Sequence, residues 1–183
     1  MVPDGISVVK AMNLLGFPAK ERITGVDLAE QLLKLAGQQG KSVYLLGAKE
    51  EVVCALAGKL KVQYPQMTVA YKNGYGKDKD ADFEEIVKAQ PDLVLVALGV
   101  PAQELLIARH LEEFQKGVFI GVGGSFDVLS GSKRRAPAFF VRTNTEWLYR
   151  ILREPSRLGR FYRNNVKFLG QVRREAKSPV GKP

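Results

Sequence analysis

The sequence predicts an α/β fold in which a parallel sheet is covered by helices on both faces. Four short, nearly continuous apolar runs carry that prediction: Val43-Tyr44-Leu45-Leu46, Thr68-Val69-Ala70-Tyr71, Leu93-Val94-Leu95-Val96-Ala97-Leu98 and Val118-Phe119-Ile120. Stretches of helical periodicity separate them, the pattern of strands buried on both sides. Three of the runs finish in glycine, at Gly47, Gly99 and Gly121, so the roomy ends are the carboxyl ends, where open α/β sheets take ligands.

Two helices precede the first strand. Asp4-Gly5 opens one, with Asp4 as its natural N-cap, Val8, Met12 and Leu15 on one face and Gly16 as its stop. Thr24-Gly25-Val26-Asp27 opens the second, with Leu28, Leu32, Leu35 and Ala36 as its apolar set and an end near Gly37 or Gly40. After the strand at 43–46 a helix runs to Tyr64 and stops at Pro65. Residues 82–89 form the next helix, and Pro101 starts one that reaches Phe114. Beyond Ala136-Pro137 lie two apolar helical sets. Trp147, Leu148, Ile151 and Leu152 form the first; Leu158, Phe161, Tyr162, Val166 and Leu169, interleaved with Arg157, Arg160, Arg163 and Lys167, form the second. The predicted architecture is a Rossmann-like parallel sheet in residues 1–140 and a basic amphipathic appendage in residues 141–183, its end disordered.

Composition narrows the function classes. With 183 residues, 45% hydrophobic and 26% charged, the chain can bury an ordinary core. No apolar run approaches the roughly 20 residues that span a bilayer, and the start lacks a signal-peptide pattern, so the expected location is cytoplasmic. The net charge is +9, of which +8 falls between Trp147 and Pro183. A basic amphipathic tail can lie on an anionic membrane surface, or pack its apolar face on the domain or on a neighbouring subunit. One cysteine, Cys54, rules out an internal disulfide and predicts a buried, inert thiol; one histidine, His110, has no partner at ligand spacing. Asp78-Lys79-Asp80-Ala81-Asp82 lacks the glycine and distal glutamate of a calcium loop and reads as solvated carboxylates at a helix start.

The stretch with most chemical content is Gly121-Val122-Gly123-Gly124-Ser125-Phe126-Asp127, a glycine turn leading from the fourth strand into a helix at Ser125. Such a turn can offer backbone N–H groups to a phosphate, or connect strand to helix and bind nothing. It is not a dinucleotide fingerprint, because Phe126 stands where the third glycine belongs.

Pro3-Asp4-Gly5, Glu21-Arg22-Ile23-Thr24-Gly25-Val26-Asp27-Leu28, Tyr44-Leu45-Leu46-Gly47, Gly99-Val100-Pro101-Ala102-Gln103-Glu104, the glycine turn and Glu146-Trp147-Leu148-Tyr149-Arg150 occur in that order. Together they resemble the bacterial WecG/TagA/CpsF glycosyltransferases, most closely the TagA type, from Pro3 to about Phe168. The resemblance implies inverting transfer of N-acetylmannosamine from UDP-ManNAc to the C4 hydroxyl of undecaprenyl-diphosphate-linked GlcNAc, in wall teichoic acid linkage-unit synthesis. The work would be done at the inner face of the plasma membrane, with no metal or other cofactor. It implies Asp4 as the base, Arg22 as a second catalytic group, and Arg150, Arg157 and Arg160 as arginines of the active site. Tyr75, Gln103 and Asp127 match positions near the nucleotide or sugar, and Gly123, Gly124 and Ser125 form the diphosphate turn. Each has a structural alternative: an N-cap for Asp4, surface salt bridges for the arginines, core packing for Tyr75, helix caps for Gln103 and Asp127. Compared with the family, a preceding segment of several dozen residues with a Thr-Pro-Asn motif is expected to be missing. Alternatives are a relative using another UDP-sugar such as UDP-ManNAcA, or an inactive nucleotide-sugar-binding remnant. An arginine-rich nucleic-acid module is a third, though nucleic acid is not an expected partner; homo-oligomerisation stays open.

Overall fold

The computed structural model describes residues 4–17, 22–156, 158–159, 162 and 167–177. In chain order the elements are α1 (Ile6–Leu14), α2 (Gly25–Gln38), β1 (Ser42–Gly47), α3 (Glu50–Gln63), β2 (Thr68–Lys72), α4 (Lys79–Ala89), β3 (Leu93–Ala97) and α5 (Ala102–His110). A 3-10 turn (Leu111–Glu113), β4 (Val118–Gly121), α6 (Ser125–Leu129), α7 (Ala138–Arg142), α8 (Glu146–Arg153) and α9 (Lys167–Lys177) follow. They divide into two units, Gly25–Arg134 and a second that joins Met1–Thr24 to Arg135–Pro183. The expected boundary at 140/141 leaves the first 24 residues with the sheet, whereas here they join the C-terminal helices.

The first unit holds the sheet, four parallel strands in the order β2-β1-β3-β4. Side chains alternate across a strand, so the continuous apolar runs of β1 and β3 feed two cores at once. Val43, Leu45, Leu93, Leu95 and Ala97 meet Ala29 and Leu33 of α2, Val53 and Leu56 of α3, and Phe126 of α6. Tyr44, Leu46, Val94 and Val96 meet Phe83 and Ile86 of α4 and Leu106 of α5. Register is locked at the amino edge by Asp92. Its carboxylate accepts from the Ser42 amide at 2.9 Å and hydroxyl at 2.7 Å, and from Lys116 at 3.0 Å. Those Ser42 bonds, with Lys116 behind them, hold its pKa well below the usual carboxylate range.

Several expectations are corrected. The buried stripe of α2 is Val26, Ala29, Leu33 and Ala36, while Leu35 is exposed. Periodicity identifies an apolar helix but cannot say which of two adjacent stripes the sheet covers. Helix α4 starts at Lys79, three residues before the expected Asp82, because the Asp78 carboxylate caps it by accepting from the Asp80 and Ala81 amides. Asp82 is buried rather than solvated, and Cys54 is exposed, its sulfur accepting from the Tyr71 hydroxyl at 3.5 Å.

In the second unit α1 packs against α9, and the buried residues of that pair are Ser7, Ala11 and Val172. The expected face of α1 is therefore displaced: Leu15 is exposed. Asp4 is not the cap, since Gly5 occupies that position without a side-chain cap. Helices α7 and α8 meet through Phe140 and Tyr149, whose rings lie 5.3 Å apart. Of the second apolar set expected beyond Pro155, Leu169 falls on α9, which begins at Lys167. Leu158 and Tyr162 are exposed, and Phe161, Arg163 and Val166 lie outside the described residues. Among the described residues no helix is long and apolar enough to cross a membrane.

Candidate functional site

The order β2-β1-β3-β4 makes the chain change direction between β1 and β3, and the carboxyl ends of those strands form the switch point where open α/β sheets take ligands. The loops there are laced together by the backbone. The Ala48 amide donates to the Ala97 carbonyl at 3.1 Å, and the Gly74 amide donates to the Ala48 carbonyl at 2.8 Å.

Gln103 organises the adjacent part of this edge. It is 3% exposed on the first turn of α5. Its Oε1 accepts from the Gly99 amide and from the Gly123 amide, each at 3.1 Å, and its Nε2 donates to Glu104 at 2.8 Å. One amide thus ties the turn after β3 to the turn after β4. Gly121 has to be glycine for the same reason, since a Cβ there would lie 2.5 Å from Gln103 Nε2.

The glycine turn is more self-contained than its sequence suggests. Besides the Gly123 amide, the Ser125 amide and hydroxyl are engaged, donating to the Val122 carbonyl at 3.1 and 2.7 Å. Helix α6 has five residues and starts from Gly124 without a side-chain cap. So short a helix is held by burial of Phe126 rather than by its own hydrogen bonds. Asp127 faces Lys133 at 3.4 Å across the next turn. Neither Gln103 nor Asp127 caps a helix.

Tyr75 stands apart on the loop after β2 and is 72% exposed, which excludes core packing. Asn73 shapes this loop: its Oδ1 accepts from the Tyr75 amide at 2.8 Å and its Nδ2 donates to Glu50 at 2.7 Å. Below it Lys72 bridges Glu85 at 2.7 Å and Asp82 at 3.0 Å. Those two carboxylates raise the lysine pKa above its ordinary range, against a smaller opposing effect of burial. Asp82 Oδ2 is buried with no hydrogen-bond partner among the described residues.

The second unit holds the other set. Arg22, 13% exposed, points one guanidinium nitrogen at two carboxylates: Nη2 is 3.0 Å from Glu146 Oε2 and 3.8 Å from Asp4 Oδ1. Its Nε donates to the Asp4 carbonyl. The Asp4 side chain is 65% exposed and that of Glu146 only 4%. Arg135 Nε approaches the other oxygen of Glu146 at 3.4 Å. Arg150 lies one helical turn beyond Glu146 on α8 and is exposed; at that spacing the two share a helix face. Arg157 and Arg160 lie outside the described residues. Glu146 stands in a sequence motif that assigns it no role, and Arg135 stands in none of the motifs. The available signal was an acidic residue in the first turn of a basic helix, which by itself reads as dipole compensation.

A cleft of about 320 Å³ between α2 and α3, with Lys34, Lys59 and Tyr64 among its lining, lies elsewhere.

The family model described as Glycosyl transferase WecG/TagA/CpsF family matches residues 1–181. A Bacillus spizizenii protein is 42% identical over 158 residues, 86% of this chain and 62% of its own length. A Bacillus subtilis protein is 41% identical over 158 residues, covering 86% and 62%, and one from Staphylococcus aureus strain MW2 is 41% identical over 164 residues, covering 87% and 63%. All three are named N-acetylglucosaminyldiphosphoundecaprenol N-acetyl-beta-D-mannosaminyltransferase. The chain spans about three-fifths of the length of these relatives. By the family match along its length and this level of identity, the chain belongs to the WecG/TagA/CpsF family of glycosyl transferases.

Proposed function

We propose that the protein transfers N-acetylmannosamine from UDP-ManNAc to the C4 hydroxyl of undecaprenyl-diphosphate-linked GlcNAc, with inversion and without a metal. The observation that carries this reading is the Asp4–Arg22 pair in a chain of this family; the relatives' names supply the acceptor and the sugar.

In this reaction the acceptor oxygen attacks the anomeric carbon as the bond to the diphosphate breaks. The hydroxyl proton goes to a base, and negative charge collects on the departing UDP. Asp4 suits the first task because its carboxylate is mostly open to solvent and holds Arg22 only at 3.8 Å. Arginines suit the second, since a guanidinium forks onto diphosphate oxygens and stays charged at any working pH. Arg22, Arg150, Arg157 and Arg160 are assigned that role. The glycine turn contributes room for close approach more than donors, because the Gly123 and Ser125 amides are already bonded. Tyr75 offers an exposed ring to the nucleotide or sugar, and Asp127 a carboxylate to sugar hydroxyls.

A lipid-borne acceptor brings the protein to a membrane, here assigned to the cytoplasmic face. Exposed Leu148 and Leu152 on α8, beside Arg150 and Arg153, fit a peripheral contact with anionic headgroups.

The test is UDP release from UDP-ManNAc by the purified protein, with and without the lipid-linked acceptor. Acceptor-dependent release is expected, and its fall by about 10²–10⁴-fold in Asp4→Ala is the effect of losing a general base. UDP binding without acceptor-dependent release would leave a nucleotide-sugar-binding protein instead. Release only from another UDP-sugar would reassign the donor.

A further inference from the structure

Two carboxylates are deeply buried among the described residues, and Glu146 is the more enclosed of them. Burying a charged carboxylate is unfavourable unless it is closely paired, so its partners matter. Among the described residues Glu146 has two: Arg22 on Oε2 at 3.0 Å and Arg135 on Oε1 at 3.4 Å. Arg22 in turn reaches the Asp4 carboxylate only at 3.8 Å, while its Nε donates to the Asp4 backbone carbonyl. The guanidinium is therefore anchored by the buried Glu146 carboxylate and by the Asp4 backbone, and its contact with the Asp4 carboxylate is the looser one.

That asymmetry has a chemical use. An arginine free to choose between the two would fork onto Asp4 and occupy the oxygen lone pairs that a base needs. Held by Glu146, it keeps a positive charge beside Asp4 while leaving the carboxylate open to a hydroxyl. We propose that Glu146 is a positioning residue, which acts through Arg22 to keep Asp4 accessible and the guanidinium fixed beside it. The site of Glu146 in the first turn of α8 makes the anchor rigid, because the backbone there is set by the helix. Arg135 balances the remaining charge, so the group of two carboxylates and two guanidinia is neutral overall.

This inference rests on the functional reading above, and the experiment separates the two. In the acceptor-dependent assay Glu146→Gln is expected to lower kcat by about a hundredfold, the scale of a misplacement near 1 Å. The KM values for donor and acceptor should stay near those of the unaltered protein, which a general loss of folded protein or of substrate binding would not produce. In an Arg22→Ala background the same change should have no further effect on kcat, because the group it acts through is gone. Glu146→Asp keeps the charge but withdraws it by one methylene, and should give an intermediate kcat with unchanged KM. It decides the matter if Glu146→Gln does not fold. An unchanged kcat in the folded variant, or an equal fall with and without Arg22, overturns the inference. Turnover that survives both Asp4→Ala and Arg22→Ala sinks the functional reading itself.

Discussion

Gln103 shows how much a single side chain can decide. The residue matched a nucleotide or sugar position in the sequence, with a helix cap as its alternative; the structure shows its oxygen shared between amides in two separate turns. No sequence signal could reveal that, because one of those amides lies 20 residues away and only the fold brings it near. Gly121 is the other half of the arrangement. In Gly121→Ala the new methyl would press on a Gln103 amide that cannot swing aside without giving up both bonds, and overpacking of this kind costs about 1–3 kcal/mol. Gln103→Ala strands two amides and is expected to cost about as much. Since the first variant's strain comes from the side chain the second removes, the double variant should be less destabilised than the sum, by about 1 kcal/mol or more. Urea unfolding of the four proteins measures this. Strict additivity would mean that the Gly121 contact is not with Gln103.

At the scale of elements, the strands were the most legible part. Alternation within β1 and β3 explains why their runs are apolar throughout, and helices on both faces then follow. The covered stripes of α1 and α2 were not legible, because tertiary contact, with α9 for α1 and with the sheet for α2, selects among near-equivalent faces. Nor was the join between α4 and α5. His110 Nε2 lies 3.0 Å from Asp80, and Nδ1 lies 2.6 Å from Glu113 of the 3-10 turn. Arg109 holds Asp80 from the other side at 2.8 Å, and the imidazole stacks on Phe83. Burial opposes the charged imidazole, but the two carboxylates outweigh it and raise the His110 pKa; the hydrogen bond from His110 leads in lowering that of Asp80. A group that titrates higher folded than unfolded stabilises fully below its unfolded value, about 6.5 for histidine, and loses that contribution as pH rises through the folded value. The same bond keeps Asp80 ionised below the usual carboxylate range, so the partner stays charged throughout that window. The Tm advantage of the unaltered protein over His110→Gln should therefore be largest between about pH 4.5 and 6 and shrink toward pH 8. A difference that stays constant or grows with pH would mean that the join does not depend on the imidazolium.

For the whole molecule, charge was legible and grouping was not. The sequence places +8 of the +9 net charge between Trp147 and Pro183. Only tertiary contacts bring Met1–Thr24 into one unit with that segment, and with it Asp4 and Arg22 into the company of Glu146. The membrane proposal draws on both facts: a unit that carries the positive charge also carries the proposed base and exposes Leu148 and Leu152 beside Arg153. Each cation near an anionic surface is worth about 1 kcal/mol at moderate salt, so several together outweigh what one or two leucines supply alone. Binding should then need anionic lipid. In co-sedimentation with vesicles of phosphatidylcholine and phosphatidylglycerol, the protein is expected to pellet at low salt. It should be released as ionic strength approaches about 1 M, where the Debye length falls to about 3 Å. Arg153→Gln should weaken binding by about fivefold, the equivalent of one such cation. Pure phosphatidylcholine vesicles should pellet little of it. Equal binding to both compositions, or binding indifferent to salt, would contradict an electrostatic contact and leave the apolar residues as the driving surface.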